Sequence, residues 1–200
     1  HIYTDAFGSK QGVLRGTIFP GGTGEADNRT QAFTFRMTGK YYNTPDHPYR
    51  LKKPPPDYNP AKYRWNNPKP IIPNGKFDLL GINYGADLTG HSTDFVLADW
   101  EERAKIEEIF RNHSLGWMYY IQTEGGSPNV GLADDEFMDN GNFPYRLYVR
   151  QGRRIEGLYT LTESDLHKDL RGNGIRGPVH PESIAIGMYP IDVHNVQGPT

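Results

Sequence analysis

Residues 99–122, DWEERAKIEEIFRNHSLGWMYYIQ, read as one long amphipathic helix. Asp99 is placed to cap it, Glu102 follows three residues on, and acidic side chains in the first turn meet the positive end of the helix dipole. Ile106, Phe110, His113, Trp117 and Ile121 recur at spacings of three or four and form a single apolar stripe, with Glu107, Glu108 and Arg111 elsewhere. Gly125-Gly126 ends the pattern. Gly116 lies inside it, where glycine costs about 1 kcal/mol relative to alanine, so a close contact or a bend is expected there. His113 on the stripe reads as a satisfied core histidine before a catalytic one.

Working outward, residues 31–38 (QAFTFRMT) alternate, with Phe33, Phe35 and Met37 on one face and Thr34 and Arg36 on the other, the pattern of a half-buried strand. Residues 11–20 read as a short strand ended by Pro20-Gly21-Gly22. Residues 146–161 can be read two ways. Leu147, Val149, Ile155, Tyr159 and Leu161 fit a period of two, and Gly152 breaks a helix, so strand is favoured. Thr162–Asp165 resemble a cap for a short helix through Leu170, residues 171–181 form a Gly/Pro loop, and 183–193 read as a last strand. The segment 39–76 carries nine prolines and little periodicity. It is functional, packs along another domain, or is a linker. Together these elements predict an α+β fold, a mostly antiparallel sheet with one long packed helix and long Pro/Gly-rich loops.

Composition narrows the function classes. With 200 residues the chain suits one domain. Hydrophobic residues are 36% and mean hydropathy is -0.72, while 23 Gly and 16 Pro predict many turns, or a segment that leans on a neighbour for its core. Thirteen Tyr argue against disorder. A net charge of -2 with mixed signs offers no basic stripe for nucleic acid. No apolar run is long enough to span a membrane. The absence of Cys removes disulfides, thiolate metal sites and cysteine nucleophiles. The chain opens on His1 without an initiator Met or a signal-peptide pattern, and it is read as processed, tagged or excised from something longer.

Motifs are few. No strand is followed by G-x-G-x-x-G, and Arg171–Gly177, though glycine-rich, follows an expected helix and precedes Pro178. No two histidines have metal-ligand spacing, so no metal site is expected. His194 follows an expected strand, beside Asp192 and Asn195, where a tethered imidazole suits acid–base work. Arg150, Arg153 and Arg154 cluster; guanidinium groups hold carboxylates and phosphates, or simply make a solvated basic face. Asp134, Asp135, Glu136 and Asp139 read as an exposed acidic turn, with a glycosidase-type carboxylate pair as the sharper alternative. Asn28-Arg29-Thr30 and Asn112-His113-Ser114 are weak glycosylation sequons.

Four blocks carry a resemblance: Thr30–Arg36 (TQAFTFR), Tyr58–Tyr63 (YNPAKY), Pro144–Gly157 (PYRLYVRQGRRIEG) and Ile186–Gln197 (IGMYPIDVHNVQ). In this order, with Leu115–Tyr120 (LGWMYY), the chain resembles the FAD-dependent oxidoreductase family that includes proteins labelled xanthan-lyase-like, over about residues 25–198. The resemblance implies FAD as cofactor, held mainly by parts of a parent protein outside this chain. It implies that residues 1–200 are a single segment, the substrate (cap) domain, with 39–76 a long loop within it. It implies catalytic roles for Arg153, Arg154 and His194 and cofactor contacts from Arg150, Asn195 and Gln197. Gln151-Gly152 departs from the Glu-Ala that the resemblance implies; if that Glu orients a neighbouring arginine, its role is lost here or taken by Glu156.

The expected function is hydride transfer between flavin and an organic, sugar-like substrate, with the flavin-binding remainder of the parent and a small-molecule or saccharide substrate as partners. The alternative is a secreted carbohydrate-binding or structural module, suggested by the aromatic content and the sequons. A stand-alone hydrolase using the acidic run is a third reading.

Overall fold

The computed structural model describes residues 30–67, 72–80 and 85–152, with 7–8, 13–14, 158, 182 and 184–185. By their contacts the residues separate into two compact units, 32–150 and the flanking 1–31 with 151–200. In the flanking unit, β1 (Phe7–Gly8) pairs antiparallel with β2 (Val13–Leu14), and the main-chain N–H of Gln31 donates to Gln151 Oε1 at 3.1 Å. Most of the strand expected over 11–20 lies outside the described residues. So do the helix from Thr162, the 171–181 loop and most of the last strand; of the latter, Ile184 and Ala185 are exposed and irregular.

Among its described residues the unit 32–150 holds a three-stranded antiparallel sheet and two α-helices, the α+β architecture expected. The sheet has β3 (Met37–Tyr41) at its centre, between β4 (Lys76–Leu79) and β5 (Val130–Leu132). Register puts Met37 opposite Leu79, and Gly39 opposite both Phe77 and Leu132. The inner face is therefore apolar, with Met37, Phe77 and Leu79 each 1% exposed. Gly39 is required there: a Cβ would run into the Phe77 ring.

On the outer face Lys40 stands opposite Lys76, a like-charge pair that would repel. The acidic run neutralises it. Lys40 Nζ holds Asp134 at 2.7 Å, and Lys76 Nζ holds Glu136 at 2.8 Å and Asp135 at 3.2 Å.

The regular strand begins later than the alternation suggests. Phe33 bridges to Leu88 and Thr34 to Tyr148, so residues 33–34 pair with two separate segments in isolated bridges, and a continuous ladder starts only at Met37. Phe33, Phe35 and Met37 point inward as expected. Thr34, expected on the outer face, is also buried, and its hydroxyl donates to Ala86 O at 2.6 Å. Likewise 146–150 form no strand; their only bridge among the described residues is at Tyr148.

After a short α1 (Ser92–Leu97), helix α2 runs Trp100–Gln122. Asp99 caps it, its carboxylate accepting from Glu102 N at 2.9 Å. The whole predicted stripe is buried: Phe110 and Ile121 completely, and Ile106, His113 and Trp117 to within 9%. Trp65 joins helix to sheet, its ring 5.9 Å from Phe77 and 6.2 Å from Trp117. Gly116 marks a close contact. The Tyr63 hydroxyl crosses the helix there and donates to His113 O at 3.2 Å, and a Cβ on residue 116 would collide with it.

The Pro-rich segment packs along this unit's own helix. Gln122 ties it down, accepting from Leu51 N at 2.8 Å and donating to Tyr49 O at 3.0 Å and Val130 O at 2.7 Å. Trp117 Nε1 donates to Arg64 O at 2.9 Å. Between the strands at its two ends the segment has no ladder, and buried Gln122 and Trp117 satisfy main-chain groups of Tyr49, Leu51 and Arg64 there. No helix among the described residues is long and apolar enough to cross a membrane.

Candidate functional site

Of the residues expected to act, Arg150 lies within the described residues, at the end of the run that Tyr148 begins. Tyr148 N donates to Thr34 O at 2.8 Å and pins the run to the 33–36 segment. Two residues on, Arg150 Nη1 donates to Ala32 O and Nη2 lies 2.9 Å from Asp87 Oδ1. The two side chains are 6% and 2% exposed, so this is a buried ion pair. Arg150 Nε and Nη2 have no aligned hydrogen-bond acceptor; the Nη2–Asp87 approach is electrostatic and not a formed hydrogen bond. The Tyr148 ring carries two cations, Arg150 at 5.2 Å and Arg36 at 5.4 Å.

Asp87 is the residue the sequence reading missed. It supplies the carboxylate that orients Arg150. Its signal was a lone acid between Ala86 and Leu88, since an aspartate in an apolar run is affordable when buried only if it is paired. Gln151 is buried, and its Oε1 accepts from the Gln31 main-chain N–H. Arg153, Arg154, Glu156, His194, Asn195 and Gln197 lie outside the described residues.

His113 is a core histidine, as expected. Its Nε2 lies 2.7 Å from Gly85 O and donates to it, since a carbonyl can only accept. Burial pushes its pKa down to about 4, with the nearby Lys62 ammonium acting in the same sense. The neutral imidazole is a structural hydrogen-bond donor at neutral pH.

The acidic run is unsuited to glycosidase chemistry. Lys76, then the Thr38 hydroxyl at 2.6 Å, hold Glu136 below the ordinary carboxylate range, and Lys40 does the same for Asp134. A general acid for glycoside cleavage needs the opposite shift.

An FAD pyrophosphate seeks open N–H groups at a helix N-terminus. Of the two described helices, α1 has six residues, and α2 opens with Asp99 already on Glu102 N and with Glu101 and Glu102 in its first turn. Three carboxylates there repel a phosphate. The described residues therefore do not make a dinucleotide cradle, and Arg150, expected at the cofactor, is engaged with Asp87 and Ala32.

Comparison with curated proteins gives no match, and neither does comparison with solved structures. The family model described as FAD dependent oxidoreductase matches residues 6–200. The match covers the described unit, the Arg150 run and the His194 segment together, and implies FAD and a flavin-linked redox role: the chain belongs to the FAD dependent oxidoreductase family.

Proposed function

We propose that this chain is the substrate-facing part of a flavoenzyme that oxidises or reduces an organic, sugar-like substrate. FAD, when bound, supplies the hydride chemistry. The observation that carries the reading is the family match over residues 6–200, which takes in both arginines of the Arg153-Arg154 pair and His194. Arg153 or Arg154 holds an anionic or polyhydroxylated group of the substrate by bidentate hydrogen bonds. His194 holds or moves a proton at the reacting oxygen. Asn195 and Gln197 offer amide groups to the cofactor. Arg150, fixed by Asp87, positions the start of the run that delivers Arg153 and Arg154.

The test is flavin reduction by stopped flow in the flavin-loaded parent protein, followed by the loss of its visible absorption. His194→Gln lowers the reduction rate about 10²–10⁴-fold if the imidazole transfers a proton. Arg153→Lys and Arg154→Lys show which guanidinium binds, by a raised KM at little-changed kcat. Unchanged kinetics in all three variants removes these residues from the site. A parent protein, with its flavin-binding remainder present, that takes up no flavin removes the redox reading.

A further inference from the structure

Three hollows lie along one side of α2, all within the unit 32–150. Their volumes are about 560, 680 and 320 Å³. The first and second share Arg50, Leu51 and Lys52, and the second and third share Pro56 and Asn112. Adjacent hollows thus share walls, and as a row, taken together as a groove, they follow the helix from Thr123 back to Ile109, about 21 Å at a rise of 1.5 Å per residue. Asn112, Leu115, Tyr119 and Thr123 recur at spacings of three and four and form the helix side of the groove.

The facing wall is the Pro-rich segment, and it is basic. Arg50, Lys52, Lys53 and Lys62 line the groove, against Asp46 and Asp57 as its acids. The ion pairs of the described residues involve Arg36, Lys40, Lys76, Lys105 and Arg150, and none of these four. This excess of positive charge runs against a chain whose net charge is -2.

The wall also limits what can lie against it. Pro54, Pro55 and Pro56 have no N–H, so this stretch cannot pair with an added peptide strand. Their rings and the Tyr119 ring offer apolar faces instead, and Asn112 and Thr123 offer hydrogen bonds to hydroxyls. Spaced cations, short apolar faces and neutral polar groups in a row along the helix suit a chain of sugar rings bearing carboxylates.

We propose that the groove binds a linear anionic saccharide, with its carboxylates on Arg50, Lys52, Lys53 and Lys62 and its rings on Pro54–Pro56 and Tyr119. The proposal rests on the saccharide reading above and names the class of that substrate.

The test is calorimetric titration of the full chain, without flavin, using an oligogalacturonate, a neutral cello-oligosaccharide of equal length, and polyglutamate. The oligogalacturonate is expected to bind at least tenfold more tightly than either of the others, and more weakly as salt rises. The exposed double variant Lys52→Glu/Lys53→Glu is expected to lose at least tenfold in affinity with an unchanged melting curve, and Lys52→Arg/Lys53→Arg to retain it. No oligogalacturonate binding, equal binding of the neutral oligomer, equal or tighter binding of polyglutamate, or an indifferent charge-reversed variant would each overturn the proposal. Flavin reduction by the same oligomer is read separately in the flavin-loaded protein. Binding without reduction removes the bound saccharide as the flavin's substrate and leaves the groove, whereas reduction indifferent to Lys52 and Lys53 removes the groove and leaves the saccharide as substrate.

Discussion

Arg150 and Asp87, 63 positions apart in the chain, meet as a buried ion pair with 2.9 Å between Nη2 and Oδ1 and at most 6% of either side chain exposed. Removing one partner leaves the other charge buried and uncompensated, which costs about 3–5 kcal/mol. Asp87→Ala and Arg150→Ala should each lower the urea midpoint by that order. Asp87→Ala/Arg150→Ala, which removes both charges, should cost clearly less than the sum of the two single losses. Additive losses in this double-mutant cycle would mean that the two groups do not act as a pair.

Gly116 and Tyr63 make a second coupled pair. Gly116→Ala should gain about 1 kcal/mol of helix propensity but lose about 1–3 kcal/mol to the collision with the Tyr63 hydroxyl. With Tyr63→Phe added, the nearest ring atom is Cζ at 3.1 Å, and the double variant should recover most of the loss. A thermal melt in which Gly116→Ala alone is stabilising would show that the helix and the Tyr63 segment separate easily.

Stability should fall as the medium is acidified from pH 6.5 to 4. The folded pKa of His113 is depressed to about 4 from 6.5, so in that window the unfolded chain binds the proton and the folded chain does not. The group's contribution is complete above pH 6.5, is lost as pH falls, and levels off below 4. Its upper size is about 3 kcal/mol. Burial lowers the His47 pKa as well, with the same sign. His113→Gln, which can still donate to Gly85 O, should flatten the slope of unfolding free energy against pH to the part that His47 and, toward pH 4, the depressed carboxylates Glu136 and Asp134 supply. An unchanged slope would assign the effect elsewhere.

Gln122 holds three main-chain groups of two segments. Gln122→Ala leaves Leu51 N–H, Tyr49 O and Val130 O without it, at about 0.5–1.5 kcal/mol for each hydrogen bond. Amide exchange at Leu51 should accelerate, and proteolysis between residues 45 and 56 should follow. Protection at Leu51 equal to that of the native chain would mean that the Pro-rich segment is held by packing alone.

Helix α2 was legible in the sequence because its determinants are local. The cap at Asp99, the stripe from Ile106 to Ile121 and the glycine stop all lie within one turn of the residues they act on. The inward set Phe33, Phe35 and Met37 was legible for the same reason, since alternation is a property of neighbours. The four blocks that carry the family resemblance were likewise present as plain sequence, and the family match bears that membership out.

What tertiary structure decided is which distant residues neutralise one another. The acidic run 134–136 looks the same in sequence whether it faces water or substrate; only strand register, by setting Lys40 opposite Lys76, makes it the counter-charge of a sheet. Arg150 looks like its neighbours Arg153 and Arg154 until folding brings Asp87 to it. The 39–76 segment has little periodicity from which its place could be read: between the strands at its two ends, Tyr49, Leu51 and Arg64 are held through main-chain groups by Gln122 and Trp117 of α2, far along the chain. Sequence by itself determined the helix, the inward face of the first sheet segment and the family. Only the fold decided the ion pairs and the groove, because electrostatic partners separated by tens of residues leave no local periodicity to read.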